Sequence, residues 1–257
     1  MWLNLALVED SLRTSALGRR LVYLTSTHST QDVARSEAEM GADEGTVVLA
    51  EEQTAGRGRL GRAWVSPAGR NIYLTLVLRP DVQHLKTLTM AAPLAVAHAV
   101  EEVSGLCPQL KWPNDILLSG RKLSGVLIDS EFSGSEVRYA LVGIGLNVNF
   151  DIDNASEIGS IATSVKRELG REISREGLLA ALLNQFEALY RNEDAVAVRE
   201  AWKARLETIG RDVRVTFRGQ TCEGVAEDVD ADGSLVLRRP DGSTIVVEAG
   251  EVTLRGS

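Results

Sequence analysis

The chain has only two cysteines in 257 residues, Cys107 and Cys222, and they lie far apart. Neither belongs to a metal-binding or dithiol spacing, which excludes a cysteine zinc site and a redox centre and suits reduced thiols in a cytoplasmic setting. Histidine is almost as scarce, with His28, His84 and His98 scattered singly and forming no ligand cluster. Aromatic residues make up 5% of the chain and the net charge is -8. An RNA- or DNA-binding body needs a basic face and, for RNA, exposed aromatics, so the composition argues against both. The opening apolar run is cut by Glu9 and Asp10 and has no basic segment before it. It is too short to span a membrane and is no secretion signal. Internal repeats and low-complexity stretches are also missing.

What is present is ordinary enough for a packed core: 44% hydrophobic and 25% charged residues. The length suits one large domain and a small one, with the expected boundaries 1–207 and 208–257.

One segment stands apart. Gly56-Arg57-Gly58-Arg59-Leu60-Gly61-Arg62-Ala63-Trp64 packs three arginines and three glycines into seven residues and ends on an aromatic. Glycine lets a backbone approach a ligand and take positive φ. Arginine stays charged and forks toward carboxylate or phosphate. So much like charge in one loop points to an anionic ligand, as a local basic device in an acidic protein. The glycines also fit G-x-G-x-x-G, the dinucleotide fingerprint. That motif needs a helix directly after its third glycine. Here Pro67 and Gly69 interrupt the chain before a strand, and no Gly-Lys-Ser/Thr follows, so Rossmann and P-loop readings both fail. A solvated RG-type loop is the plain alternative.

The pattern along the chain predicts a short helix over 9–18, a strand over 21–24, and a helix capped by Ser29 or Thr30 and ending near Gly41. Strands follow at 46–50 and 71–78, the second alternating Leu74, Leu76 and Leu78 against Tyr73, Thr75 and Val77. An Ala-rich helix over 90–103 has Pro93 near its start. Residues 110–118 and 123–130 predict a hairpin turning at 119–122, and 137–148 another strand. Helices over 158–169, 174–191 and 194–206 come next. The last fifty residues are short strands with Asp232-Gly233 and Asp241-Gly242 turns, the pattern of a small SH3-like β-barrel.

Three further segments carry chemistry. Lys111-Trp112-Pro113-Asn114-Asp115 can hold phosphate and a divalent cation, since Asp and Asn oxygens suit Mg²⁺ shared with substrate phosphates; an exposed turn is the plain alternative. Arg121-Lys122-Leu123-Ser124-Gly125 places a lysine beside a glycine-bearing strand. Gly143-Ile144-Gly145-Leu146-Asn147-Val148-Asn149 puts glycines inside a strand, which marks a bulge or a ligand wall.

In order and spacing, these segments together with Ser29-Thr30, Glu52-Gln53-Thr54-Ala55 and Asn71-Ile72-Tyr73-Leu74 resemble the biotin protein ligases over nearly the whole chain. The resemblance implies an α+β fold, a mixed β-sheet flanked by helices of the class II aminoacyl-tRNA synthetase and biotin synthetase kind, followed by the C-terminal barrel. It implies ATP and biotin as substrates, Mg²⁺, and a biotin carboxyl carrier protein as acceptor, with no DNA or membrane partner and a monomer or homodimer. Ser29, Thr30, Gln31, Gln53, Gly56 and Gly125 would line the biotin pocket. Arg57, Gly58 and Arg59 would hold the biotin carboxylate and the ATP α-phosphate, with Lys122 facing the reacting groups. Arg62, Trp64, Lys111, Asn114, Asp115, Asn147 and Arg255 would serve the nucleotide, Asn114 and Asp115 also the metal. Two departures stand out. The family pattern reads Ser-Thr-Asn, but Gln31 follows Thr30 here. Only about twenty residues precede the catalytic domain, so the ligase type without an N-terminal DNA-binding module is expected. A lipoate or octanoate ligase on a related fold is the nearest rival; its own arginine- and glycine-rich signature is not found.

Overall fold

The computed structural model describes residues 2–152, 159–217 and 219–254. Helix α1 (Leu5–Ser11) opens the chain, earlier than its pattern predicts, because the Asn4 side chain accepts from the Ala6 amide and caps it there. Strand β1 (Leu21–Leu24) follows, then α2 (Thr30–Glu39), capped by Ser29 as expected, then β2 (Val47–Ala50) and β3 (Ile72–Leu78). The long helix α3 (Val82–Ser104) starts a full two turns before the predicted point. Asp81 sets that start by accepting from the His84 amide, so Pro93 falls inside the helix rather than in its first turn. Gly105 stops it in the left-handed conformation.

The predicted strand over 110–118 is really two. Strands β4 (Gln109–Lys111) and β5 (Asp115–Leu118) fold back on each other through Trp112, Pro113 and Asn114, with the Trp112–Pro113 peptide bond cis. Strands β6 (Arg121–Ser133) and β7 (Glu136–Leu146) complete a seven-stranded mixed sheet in the order β1-β2-β3-β7-β6-β5-β4. The pairing β1–β2 is parallel and the rest are antiparallel. The helix predicted over 158–169 shrinks to α4 (Val165–Leu169), capped by Ser164. Helix α5 (Arg175–Tyr190) starts after Ser174, which caps it, and α6 (Ala195–Lys203) is shorter than the predicted 194–206, with Asp194 as its cap rather than its first residue.

Strands β8 (Asp212–Phe217), β9 (Gln220–Val229), β10 (Leu235–Arg238), β11 (Thr244–Val247) and β12 (Glu251–Leu254) form an antiparallel sheet. Its order is β11-β10-β9-β8-β12, so among the described residues the expected barrel takes the form of a sheet with two ends. It is fastened to the β4–β5 turn by the Trp112 indole, whose Nε1 donates to Gly233 O at 2.9 Å, and to α3 by a Lys86–Asp232 ion pair at 2.7 Å.

The two faces of the large sheet are unlike. Leu74, Leu76, Val142, Ile144 and Leu146 pack with α3 and α5 in the main core. The opposite face is covered at one end by α2, through Ala34 and Ala38 against Val48, Val77 and Leu141. Its other end carries glycines where a core would need side chains, and this is where the sheet leaves room.

One buried carboxylate ties α5 to the chain before β1. Glu187 accepts from the backbone amides of Ser15 (2.5 Å), Ala16 (2.9 Å) and Leu17 (2.7 Å) and from the Ser15 hydroxyl (2.8 Å). Burial alone pushes this carboxyl up, but the hydrogen bonds outweigh it and hold it near 2, below the ordinary 4.5. A depressed carboxyl stabilises the fold above its unfolded-state value and loses that contribution as pH falls toward the folded one. Urea unfolding should therefore show stability falling between about pH 4.5 and pH 2, a loss of at most about 3 kcal/mol from this group. Glu187→Gln should be less stable at pH 7 and flatter in that acid window; an unchanged acid profile would contradict the assignment.

Candidate functional site

The site begins with register. One ladder row crosses the sheet as Ala50, Tyr73, Gly145, Gly125 and Asp115, and the next row as Val48, Thr75, Gly143 and Leu127. Directly opposed residues share a face, so three glycines are clustered on the face that α2 covers only in part. They are floor, not bulge. A Cβ on Gly145 would lie 2.4 Å from the Trp64 indole, and one on Gly125 would lie 3.4 Å from it. The aromatic that closes the arginine segment thus rests on bare strand backbone.

The arginine segment itself is a tiny hairpin. Gly58 N donates to Arg62 O (2.7 Å) and Trp64 N to Gly56 O (2.8 Å), and a 3₁₀ turn over Arg59–Gly61 closes the tip. Leu60 is in the left-handed region (φ 57°) and 71% exposed, and Gly61 is there too (φ 74°). A non-glycine residue in that region costs roughly 1 kcal/mol. Gly56 does not line the cavity, contrary to expectation. Its missing Cβ is needed elsewhere, since it would meet Trp64 O at 2.5 Å and Ser66 Oγ at 2.7 Å.

Between hairpin and sheet lies a cavity of about 280 Å³. Of the predicted site residues it gathers Ser29, Thr30 and Gln31 from the start of α2, together with Gln53. The hairpin brings Arg57, Gly58, Arg59, Arg62 and Trp64, and the β4–β5 turn brings Lys111, Asn114 and Asp115. Lys122 and Gly125 come from β6, and Asn147 from the end of β7. Arg255 lies outside the described residues.

Five cationic side chains and two carboxylates line the cavity, an excess of positive charge in an acidic protein. The cations lean on internal acceptors. Arg57 pairs with Asp32 and Arg62 with Glu251 at the start of β12. Lys122 Nζ is 2.6 Å from Asp115 Oδ1 and 5.5 Å from the Trp64 ring centroid. Arg59 Nη1 donates to Asn114 Oδ1 (3.2 Å) and Gly250 O (3.4 Å). Burial lowers its pKa, and neighbouring Asp115 and Arg62 pull in opposite directions. Exposed pairs such as Arg57–Asp32 are individually weak, so a ligand bearing several negative charges can take their place.

Polar groups fix the walls. Thr75 Oγ1 donates to Thr30 Oγ1 (2.9 Å), and Gln53 Oε1 accepts from Thr30 N (2.9 Å) and Thr30 Oγ1 (3.2 Å). Gln53 Nε2 donates to Ser66 Oγ (3.0 Å), so both ends of that amide are engaged by the protein. Asn147 Nδ2 donates to Thr163 O, and Asn71 Nδ2 to Asn147 Oδ1. Lys122 is pinned by its own backbone, donating to Ile161 O and accepting from Thr163 N, both at 2.9 Å. Arg121 turns away to Glu168 (2.8 Å).

Among the described residues no group of three or more His, Cys, Asp or Glu side chains could hold a metal. Asp115 and the Asn114 oxygen face the cavity but already hold Lys122 and Arg59. A donor set this small suits Mg²⁺, which keeps several waters and shares its remaining positions with substrate phosphates.

Sequence reasoning missed Thr75, Asp32, Gly250 and Glu251. Thr75 was legible as the polar member of an alternating strand, whereas Asp32 and Glu251 reveal themselves only through the arginines they meet.

A glycine-floored, arginine-lidded cavity on a mixed sheet, with a small β-sheet beside its mouth, defines an anion-binding enzyme site. Residues 23–147 match the Biotin/lipoate A/B protein ligase family and residues 208–255 the Biotin protein ligase C terminal domain, so the chain belongs to that family of ligases. Among its relatives are the biotin--[acetyl-CoA-carboxylase] ligases of Mycobacterium tuberculosis and Paracoccus denitrificans. The first is 37% identical over 95% of this chain and 94% of its own length, the second 39% identical over 81% and 90%. The biotin protein ligase of Aquifex aeolicus, solved with biotin and ATP, superposes with a TM-score of 0.78 at 28% identity, covering 93% of this chain and all of that one. No helix among the described residues is long and apolar enough to cross a membrane.

The floor has a direct check. Gly145→Ala should push the Trp64 indole off the strand and shift its fluorescence toward that of a wetter indole. The same change made in a Trp64→Phe background should leave the emission unaltered; identical spectra for the parent and Gly145→Ala would contradict the contact.

Proposed function

We propose that this protein is an ATP-dependent biotin protein ligase that forms biotinyl-5′-AMP and passes the biotinyl group to a lysine of a biotin carboxyl carrier protein. The observation that carries this reading is the concentration of Arg57, Arg59, Arg62, Lys111 and Lys122 around one cavity floored by Gly125, Gly143 and Gly145. The relatives named for biotin ligation and the nucleotide- and biotin-bound neighbour support it over lipoate ligation.

The chemistry follows from charge. A carboxylate oxygen of biotin attacks the α-phosphorus of ATP, the bond to the bridging oxygen breaks, and pyrophosphate leaves. Two anions must approach, so the barrier is electrostatic. Arg57 and Arg59 on the lid hold the carboxylate and α-phosphate together. Lys122, released from Asp115 by the incoming charge, faces the oxygens on which negative charge grows. Each such preorganised donor is worth about 3–4 kcal/mol in comparable sites. When bound with the nucleotide, Mg²⁺ neutralises phosphate charge, with Asp115 and Asn114 as the residues that would hold it. In the second step a carrier lysine, as the free amine, attacks the carbonyl of the mixed anhydride and AMP departs. Trp64 and the Arg59–Gly61 tip keep water from the anhydride meanwhile.

Lys122→Ala should lower biotin-dependent exchange between pyrophosphate and ATP by about 10²–10³-fold. Exchange near the wild-type rate in a folded Lys122→Ala variant would remove Lys122 from the reaction.

A further inference from the structure

Asn147, just past the end of β7, lines the cavity yet is only 4% exposed, so the protein itself sets which way its amide faces. Its main chain is pinned on both sides, with its N–H on Leu123 O (3.0 Å) and its carbonyl accepting from Val165 N (3.1 Å). Its side chain meets two groups. Asn147 Oδ1 accepts from Asn71 Nδ2 (3.3 Å), and Asn147 Nδ2 donates to Thr163 O (3.1 Å). An amide nitrogen carries two hydrogens, and the second one here has no protein acceptor among the described residues.

Asn71 decides that orientation from behind the cavity wall. It immediately precedes β3 and is fully buried. The Val148 N–H can only donate, and it donates to Asn71 Oδ1 (2.9 Å), which fixes where Asn71 Nδ2 lies. Both hydrogens of that nitrogen are spent, one on the Tyr73 hydroxyl (3.0 Å) and one on Asn147 Oδ1. The Tyr73 hydroxyl passes its own hydrogen to Pro67 O (3.1 Å). The Asn71 carbonyl accepts from Arg175 Nη1 (2.9 Å), which is paired with Glu51. Turning the Asn147 amide over would set its oxygen against Thr163 O and its nitrogen against Asn71 Nδ2, leaving buried groups unpaired at both ends.

Thr163 ties this network to the reacting groups. Its N–H donates to the Lys122 carbonyl and its own carbonyl accepts from Asn147, and both of those residues line the cavity. A single residue thus separates the Asn147 amide from the lysine that faces the α-phosphate. An N–H presented there suits a nucleotide, whose phosphate oxygens, ribose oxygens and ring nitrogens are acceptors.

We propose that Asn71 is a positioning residue: by occupying Asn147 Oδ1 it commits the Asn147 amide to presenting an N–H, and never an oxygen, to an acceptor on the nucleotide. This rests on the reading of the cavity as an ATP and biotin site, and it adds a residue that neither ligand touches. Without Asn71 the amide can offer either end, and the wrong end repels the acceptor it should hold.

The test is biotin-dependent exchange between pyrophosphate and ATP by the full chain, as wild type, Asn71→Asp, Asn147→Ala and the double variant, with biotin affinity read by calorimetry alongside. Aspartate keeps an acceptor for the Val148 N–H and removes the donor to Asn147. Asn71→Asp should raise KM for ATP about tenfold, with kcat and biotin affinity near those of wild type. In the Asn147→Ala background the same change should add nothing, because the group it orients is gone. An unchanged KM for ATP, an equal rise in both backgrounds, or a matching loss of biotin affinity overturns the proposal. Should Asn71→Asp fail to fold, Asn71→Leu is read through the same cycle. Should that fail as well, side-chain amide NMR of the wild type decides: ATP should shift one Asn147 Nδ2 hydrogen and leave both on Asn71 in place, and an unmoved Asn147 signal overturns the assignment. Wild type that shows no exchange sinks the biotin reading itself, whereas exchange with a KM for ATP indifferent to position 71 sinks only Asn71.

Discussion

Like charges crowded into one cavity repel, and the arrangement of this site follows from that constraint. Arg57, Arg59, Arg62 and Lys122 each rest on an acceptor of the protein's own: Asp32, Asn114, Glu251 and Asp115. These partners keep the cations in place while leaving them exchangeable, since partly exposed pairs contribute little individually. A carboxylate and a triphosphate arriving together offer more negative charge than the partners they displace.

Backbone geometry makes this possible. Glycines at 125, 143 and 145 remove every side chain from one patch of a central strand pair, so that an indole and an amide can lie directly on the sheet. The opposite face of the same strands is filled with Val126, Ile144 and Leu146 in the main core. A fully packed face thus supports a hollow one, and strands as well as loops contribute the residues that line the cavity.

Much of this was legible in the sequence. The arginine and glycine segment, the Lys111–Asp115 turn, the lysine beside Gly125 and the strand glycines each pointed to a ligand, and all of them meet at one cavity. The caps Ser29 and Ser174 set their helices as their residue types require. What escaped was local competition. Asn4 and Asp81 began their helices early, and a proline turn split one predicted strand into β4 and β5. Gly56 was assigned to the ligand but serves the packing of Trp64 and Ser66. The partners of the arginines escaped as well, because Asp32, Gly250 and Glu251 lie on elements whose approach depends on tertiary packing.

The central claim is that clustered cations over a glycine floor bring biotin and ATP into reaction and hand the product to a lysine. Incubating the purified protein with labelled biotin, ATP and a biotin carboxyl carrier domain tests it most directly. Label should appear on one lysine of the carrier, only when ATP is present, and labelled lipoate should give none. An unlabelled carrier in the presence of ATP, or transfer of lipoate in place of biotin, would contradict the account.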